Sequence, residues 1–271
     1  MEVILPGGLP NKGRIERHAQ FRPITGRIEQ RLIELSPNLE PTEYVSEVLG
    51  ASLARIGNVE ANAENVSNLC VADRQYLMLR LVAMLAGEQM WLKLGCCHCD
   101  ALFDVETKRC DLPVKEAGDT YPFVTIQLNS ETVKARIPTG TDQKCIGDLS
   151  EEDAIQELLH RCVQSVNGKK PAEEFFASLS EADITQIDDA LDDAAPAICN
   201  QLLVNCPECG HEQYTELDHY SIAGISKNLF YSEVHRLASQ YHWSEEDILE
   251  LPQTRRHLYL DMINYSTGMV S

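Results

Sequence analysis

Apolar residues recur along this chain at spacings that predict helices over much of its length. After Pro41-Thr42 the apolar positions repeat every three or four residues, which predicts a helix that ends at Gly57. A second helix is predicted from about Asp73 to Ala86. Helical patterns return near the carboxyl end, from Ile225 to Tyr241 and again from Arg255 onward.

Alternating and β-branched runs predict strands between these helices. The runs Tyr121–Leu128 and Thr132–Ile137 are joined by Asn129-Ser130-Glu131, which predicts a hairpin. Serines at 150 and 180, each followed by acidic residues, predict the N-caps of two further helices. We therefore predict an α+β fold that is mostly helical.

Composition divides the chain into four predicted segments. Residues 1–26 are rich in proline, glycine and alternating charges, and we expect an extended N-terminal arm that becomes ordered on a partner. Residues 27–106 form a helical segment with the first of two cysteine pairs, and residues 107–200 form an insert with the hairpin and acidic helices. Residues 201–271 hold the second pair and the C-terminal helices. We expect the two cysteine pairs to join their segments in one domain.

Two C-x-x-C turns carry the most specific chemistry. They are Cys96-Cys97-His98-Cys99 and Cys206-Pro207-Glu208-Cys209-Gly210, each placed between two strand-like runs. A C-x-x-C turn lets two thiolates converge on one metal, and two such turns complete a tetrahedral sulfur shell. We predict a zinc-ribbon-like β element with a structural Zn²⁺ held by Cys96, Cys99, Cys206 and Cys209.

Some alternatives stay open at this stage. In the first turn, Cys97 or His98 could replace Cys96 as a ligand. In the second turn, Pro207 presets its backbone angle and Gly210 permits a positive φ, so this half is better defined. Two unrelated pairs of buried thiols are another interpretation. A thioredoxin-like redox pair is disfavoured because it requires a helix after the cysteines.

The net charge of −19 disfavours nucleic-acid binding, since it repels phosphate and no basic patch offsets it. The chain has no run of about 18 apolar residues and no basic region followed by an apolar block at its start. We expect no membrane partner and a cytoplasmic location. The remaining cysteines are scattered, which fits a reducing compartment.

No catalytic residue is assigned. Glu233 and His235 lie close together, but the H-E-x-x-H pattern of hydrolytic zinc sites is absent, as is a phosphate-binding glycine loop. His235 and His242 are expected to be structural. The acidic cluster in residues 188–193 lacks the glycine and glutamate of a calcium loop and is expected to be a solvated helix face. We expect no small-molecule substrate and no enzyme activity.

Several phrases, in this order, resemble a family from the gene clusters of contractile phage tails and related injection systems, similar to the baseplate hub assembly protein of T-even phages. The phrases span most of the chain: Leu5-Pro6-Gly7-Gly8, Phe21-Arg22-Pro23-Ile24-Thr25-Gly26, Ala72-Asp73-Arg74-Gln75-Tyr76-Leu77, Ala135-Arg136-Ile137-Pro138-Thr139-Gly140-Thr141-Asp142, Glu233-Val234-His235-Arg236-Leu237-Ala238, Tyr241-His242-Trp243-Ser244-Glu245 and Leu251-Pro252.

This resemblance implies a non-enzymatic factor that helps to build the baseplate or its hub, either as a chaperone or as a minor component. Its expected partners are baseplate or hub and spike proteins of a contractile tail. The zinc is inferred from the cysteines of this sequence. The alternative function is a zinc-ribbon nucleic-acid or transcription-associated protein.

Overall fold

A computed structural model describes residues 1–35, 39–128, 131–220 and 226–266. It confirms the α+β class. The strands are β1 (Glu2–Asn11), β2 (Arg14–Phe21), β3 (Leu53–Ile56), β4 (Val59–Glu60), β5 (Gln89–Gly95), β6 (Leu102–Lys108), β7 (Val114–Lys115), β8 (Phe123–Leu128), β9 (Glu131–Arg136), β10 (Val163–Val166), β11 (Ala197–Ile198), β12 (Gln201–Asn205) and β13 (Glu212–Glu216). The helices are α1 (Gly26–Leu35), α2 (Pro41–Ser52), α3 (Ala63–Ser67), α4 (Val71–Ala86), α5 (Gly140–Ile146), α6 (Glu151–Cys162), α7 (Glu173–Ser178), α8 (Glu181–Ala194), α9 (Lys227–Tyr241), α10 (Glu245–Leu249) and α11 (Gln253–Ser266).

Residues 1–26 do not form an extended arm, so that prediction was wrong. Strands β1 and β2 pair as an antiparallel hairpin, and β3 and β4 extend it to a four-stranded sheet. Leu5 and Phe21 lie in the main core with 0% and 2% of their surface exposed. The register shifts between Ile4 and Leu9, which accommodates the proline and glycines between them. The glycine-rich composition therefore marks an irregularity within a buried strand.

A buried aspartate fixes this irregular stretch to α4. Asp73 is fully buried, and its carboxylate accepts hydrogen bonds from the backbone N–H groups of Gly7 at 2.8 Å and Gly8 at 2.7 Å. Burial raises the pKa of Asp73, although both N–H groups favour the ionised form. A Cβ on Gly7 would lie 2.8 Å from Oδ2 of Asp73, so this approach requires glycine.

Residues 123–194 repeat the arrangement of residues 2–86. Each unit has a hairpin, two helices, a strand that pairs with the second hairpin strand, a short helix and a long helix. The elements β1, β2, α1, α2, β3, α3 and α4 correspond to β8, β9, α5, α6, β10, α7 and α8. One constant offset in residue number relates α2 to α6 and α4 to α8, so that Val45 matches Ile155 and Cys70 matches Ser180. The predicted insert is thus a second copy of the first unit's topology.

The repeat also corrects two helix ends. The helix predicted to reach Gly57 ends at Ser52, and β3 follows it; likewise the helix predicted after Ser150 ends at Cys162, and Val163 begins β10. Both strands pair with the second strand of their hairpin, and Leu53 and Ile56 are fully buried there. The same apolar spacing suits a helix or a short buried strand, and only the sheet decides between them.

The other predicted elements agree with the structure. The helix of α4, the hairpin of β8 and β9, and the strands around both cysteine pairs are confirmed. The side chains of Ser150 and Ser180 accept the N–H groups of Asp153 and Asp183, as expected for N-caps. Asn129, Ser130 and Ile225 lie outside the described residues. The division of the chain into segments whose two cysteine pairs join in one domain stays a prediction.

The second hairpin leads into a Thr-Gly pair that docks on the first unit. The N–H of Gly140 donates to the carbonyl of Leu69 at 3.0 Å, and Thr139 forms a β-bridge with Cys70. A Cβ on Gly140 would lie 2.5 Å from the guanidinium of Arg74, which is fully buried. Helix α5 thereby lies at the start of α4.

The first hairpin docks in the same way on the C-terminal helices. The N–H of Gly26 donates to the carbonyl of Leu251 at 3.2 Å, and Thr25 forms a β-bridge with Pro252. Arg256, fully buried, binds both carboxylate oxygens of Glu29 at 2.8 Å. Helix α1 is thereby held at the start of α11. The segments Thr25-Gly26 and Leu251-Pro252, both noted in the sequence, are thus in contact.

A second buried carboxylate organises the second unit. Asp142 accepts hydrogen bonds from Arg136 at 2.5 and 2.8 Å, from Arg161 at 2.7 Å and from the N–H of Thr139 at 2.9 Å. Burial opposes ionisation of Asp142, but these donors outweigh it and hold its pKa well below the usual range.

We expect Asp73→Ala to lower the free energy of unfolding by about 3 kcal/mol, because two buried N–H groups would lose their acceptor. Asp73→Asn keeps one acceptor oxygen, so a smaller loss is expected. Urea unfolding measures both, with Asp189→Ala on the exposed face of α8 as the matched control. Equal stability of Asp73→Ala and the control would contradict the role assigned to Asp73.

Asp142→Asn should destabilise the protein by about 2 to 3 kcal/mol at neutral pH, since two arginines would lose their charged partner. Because the folded-state pKa is depressed, this stability is present above the unfolded pKa and is lost as pH falls through the folded pKa. The difference between the wild type and Asp142→Asn should therefore be constant above about pH 5 and shrink as the pH falls below about 4. A pH-independent difference in urea unfolding would contradict the linkage.

Candidate metal centre

Both cysteine turns close a two-stranded hairpin in the same way. Strand β5 pairs with β6 around the first turn, and β12 pairs with β13 around the second. The N–H of Asp100 donates to the carbonyl of Cys96 at 3.0 Å, and that of Gly210 donates to Cys206 at 2.9 Å. Asp100 and Gly210 have φ of 58° and 72°, so the positive φ expected at Gly210 is confirmed. The two halves of the site are thus local copies of each other.

The structure brings together the four cysteines that the sequence predicts as ligands. The Sγ atoms of Cys96 and Cys209 are 3.7 Å apart, as are those of Cys99 and Cys206. All four Sγ atoms lie within 4.8 Å of one another. The four thiols are free, because these separations far exceed a disulfide bond.

This geometry fits a tetrahedral metal. A Zn–S bond of about 2.3 Å places the sulfurs of a tetrahedral site about 3.8 Å apart. Cys96 and Cys206 are buried, whereas Cys99 and Cys209 face solvent. The N–H of His98 donates to Sγ of Cys96 and lowers the pKa of Cys96 to about 6, whereas the neighbouring thiols raise the pKa of Cys99 and of Cys209. The donor set therefore suits a soft divalent cation, although ligation itself stays a prediction.

The open alternatives at the first turn do not share this position. Cys97 is exposed and lies outside the four-thiol cluster. The ring of His98 stacks on that of His211 with centroids 5.1 Å apart. The geometry therefore favours Cys96 over both alternatives.

Gln213 contributes to the site and was not found from the sequence. Its Oε1 accepts the N–H of Cys97 at 2.9 Å, and its Nε2 donates to the carbonyl of Gly95 at 2.9 Å. One side chain on β13 thus joins the second hairpin to the first turn. At the constant offset that relates the two halves, its counterpart in the first cysteine hairpin is Phe103, so no shared motif could have revealed it.

A cavity of about 560 Å³ lies between these hairpins and α4. Two buried polar residues line it, Arg109 and His219, and both have hydrogen-bond partners. Arg109 donates to the carbonyls of Gly87 and Gln89, and His219 contacts the carbonyl of Cys199. The rest of the lining combines apolar side chains with Gln89, Lys93, Thr215, Glu216 and Asp218. The two buried polar side chains of this cavity are thus committed to the fold.

The remaining candidates from the sequence are dispersed. His235 lies exposed on α9, so the packing expected for it is absent, whereas His242 ends α9 in a left-handed conformation. Glu233 contacts Arg256 and His257. The acidic residues of α8 are exposed, as expected for a solvated helix face. Among the described residues, no helix has the length and apolar content needed to cross a bilayer.

The fold and the site define an α+β protein in which a four-cysteine cluster joins two β-hairpins. Residues 4–221 match the sequence family described as T4 bacteriophage base plate protein, and the chain belongs to this family. The resemblance inferred from the sequence is thereby confirmed. No curated protein and no solved structure gives a match.

We expect Cys206→Ser to lower metal affinity by more than the roughly 10- to 100-fold that loss of an outer-shell contact costs. Cys97→Ser is the matched control and should retain the metal, because Cys97 lies outside the cluster. Native mass spectrometry of both variants, with elemental analysis, measures the metal per chain. Loss of metal from Cys97→Ser, or retention by Cys206→Ser, would show that the ligand set is wrong.

Proposed function

We propose that this protein is a non-enzymatic assembly factor, as a chaperone or minor component, for the baseplate or hub of a contractile phage tail or related injection system. The observation that carries the proposal is the family match over residues 4–221. We further propose baseplate or hub and spike proteins as its partners, and the cytoplasm of the producing cell as its place of action.

We propose zinc as the metal and Cys96, Cys99, Cys206 and Cys209 as its ligands. Four thiolates in tetrahedral array suit Zn²⁺, which has no redox chemistry and occupies closed structural sites. When bound, the ion would supply cross-linking of the two hairpins and no reaction step. This role fits the marginal stability of an isolated two-stranded hairpin in water.

The hairpins offer surface for a protein partner. Trp91 is 62% exposed on β5, and Leu203 and Tyr214, which pair across β12 and β13, are 55% and 71% exposed. Exposed aromatic residues on a rigid support are typical of protein interfaces. The net charge of −19 opposes the alternative of nucleic-acid binding.

We expect the tagged protein, co-expressed with the baseplate proteins of its own tail, to retain at least one of them and about one zinc per chain. Size-exclusion chromatography with mass spectrometry identifies the partner, and elemental analysis of the same fractions counts the metal. Nucleic acid in place of a baseplate protein would overturn the assembly role. A complex that forms equally well with Cys206→Ser would separate partner binding from metal binding.

A further inference from the structure

The two docked Thr-Gly helices define a binding mode that this chain uses twice. In each case a glycine N–H donates to a leucine carbonyl before a long helix, Leu69 for α5 and Leu251 for α1. A basic residue of the docked helix then forms an ion pair with an acidic residue of the surface on which the helix docks. Lys144 of α5 pairs with Glu43 at 3.3 Å, and Arg27 of α1 pairs with Glu250 at 2.7 Å. Shape and charge are therefore matched in both contacts.

The second unit has the corresponding receiving surface. Leu179 precedes α8 as Leu69 precedes α4, and Ile184 occupies the position of Arg74. Both Thr-Gly helices of the described chain, α5 and α1, are docked elsewhere, at Leu69 and Leu251. The second unit thus has an equivalent docking surface, and no helix of the described residues occupies it.

A groove is open at this surface. A cavity of about 270 Å³ lies between α6 and α8, lined by Ile155, Leu158 and Ile184 and floored by Ile187 and Leu191. Ile155 is 40% exposed, whereas its first-unit counterpart Val45 is fully buried, as is Met78, the counterpart of Asp188. The position that is buried in the core of the first unit therefore lines an open groove in the second unit.

Three acidic residues on α6 and α8 have no cationic partner among the described residues. Asp188 lies on the edge of the groove, and Glu152 and Asp153 lie at the start of α6. None of these three carboxylates has an ion pair with a described residue. Burial and the neighbouring Asp192 and Asp189 raise the pKa of Asp188, as expected for carboxylates without a cation.

We propose that the groove between α6 and α8 is a docking site for an amphipathic helix of a partner protein, with aliphatic residues on one face and lysine or arginine beside them. The identity of that partner as a baseplate protein rests on the proposed function. A second copy of this chain is a poor occupant, because its own α1 and α5 are already docked and each copy carries a charge of −19. Helix-in-groove binding supplies apolar anchors, and the acidic rim selects basic partners.

The direct probe is a synthetic peptide of residues 25–35 with Glu29→Gln and Glu34→Gln, which keeps the Thr-Gly start, two arginines and the apolar face. We expect saturable binding to the full-length protein by fluorescence anisotropy. Ile155→Ser should weaken it at least tenfold and Asp188→Asn several-fold, while raised salt weakens it further. The same peptide with Arg27→Glu and Arg31→Glu should not bind.

Two matched variants control for general effects. Asp189→Asn removes the same charge from the same helix outside the groove, and Leu258→Ser removes an exposed aliphatic residue from α11. Both should bind the peptide as the wild type does. Equal binding by all variants, or no saturable binding, would overturn the groove assignment. Circular dichroism melting of each variant separates a binding defect from unfolding.

The partner is tested in the co-expression complex with a photo-crosslinking residue at Thr185, which lines the groove, or at Ser239 on the exposed face of α9. We expect a crosslink from position 185 to a basic amphipathic helix of a baseplate protein, and none from 239. A crosslink to a second copy, or a stable baseplate complex without a crosslink from 185, would overturn the inference. The second result would leave the assembly role intact, whereas absence of any baseplate complex would contradict that role itself.

Discussion

The burial of two adjacent charges at the start of α4 is the constraint on which the rest of the structure depends. A charge without water must be met by hydrogen-bond partners. Asp73 finds them in the N–H groups of Gly7 and Gly8. Arg74 finds them in the hydroxyl of Ser46 at 2.9 Å and the carbonyl of Thr42 at 2.7 Å. One turn of helix therefore fixes the first hairpin and α2 together.

The same turn also receives the second unit, since Gly140 packs directly on the guanidinium of Arg74. Burial lowers the pKa of Arg74, and the nearby Tyr220, which follows the second metal-turn hairpin, opposes this shift. Cys99 and Cys206, 107 positions apart, meet in the four-thiol cluster. The chain is thus held at two places: by hydrogen bonds to buried charges at the start of α4 and by the contact between the two cysteine turns.

This arrangement gives a physical account of what a baseplate-family protein with an internal repeat can offer. Each unit receives a helix or supplies one, so the contacts that hold the units together are of the kind that can also hold a neighbour. The second unit differs from the first at the docking surface. There Ile184 replaces the buried Arg74, and Asp188 replaces the buried Met78. Apolar surface with an acidic rim is left where the first unit has core.

The sequence by itself determined the features that depend on neighbouring residues. Helix caps, the strands around both cysteine turns and the two neighbouring thiols of each turn follow from local spacing, because turn and cap chemistry acts within a few residues. The repeat was also readable, since Cys96 and Cys206 share the offset of Cys70 and Ser180, but unlike side chains at most matched positions hide it. Only the tertiary structure decided that the glycine-rich start is a buried strand, that Leu53–Ile56 leaves the helix for a sheet, and that Gln213 bridges the two hairpins. Each of these depends on a partner distant in sequence, whose position no local pattern specifies.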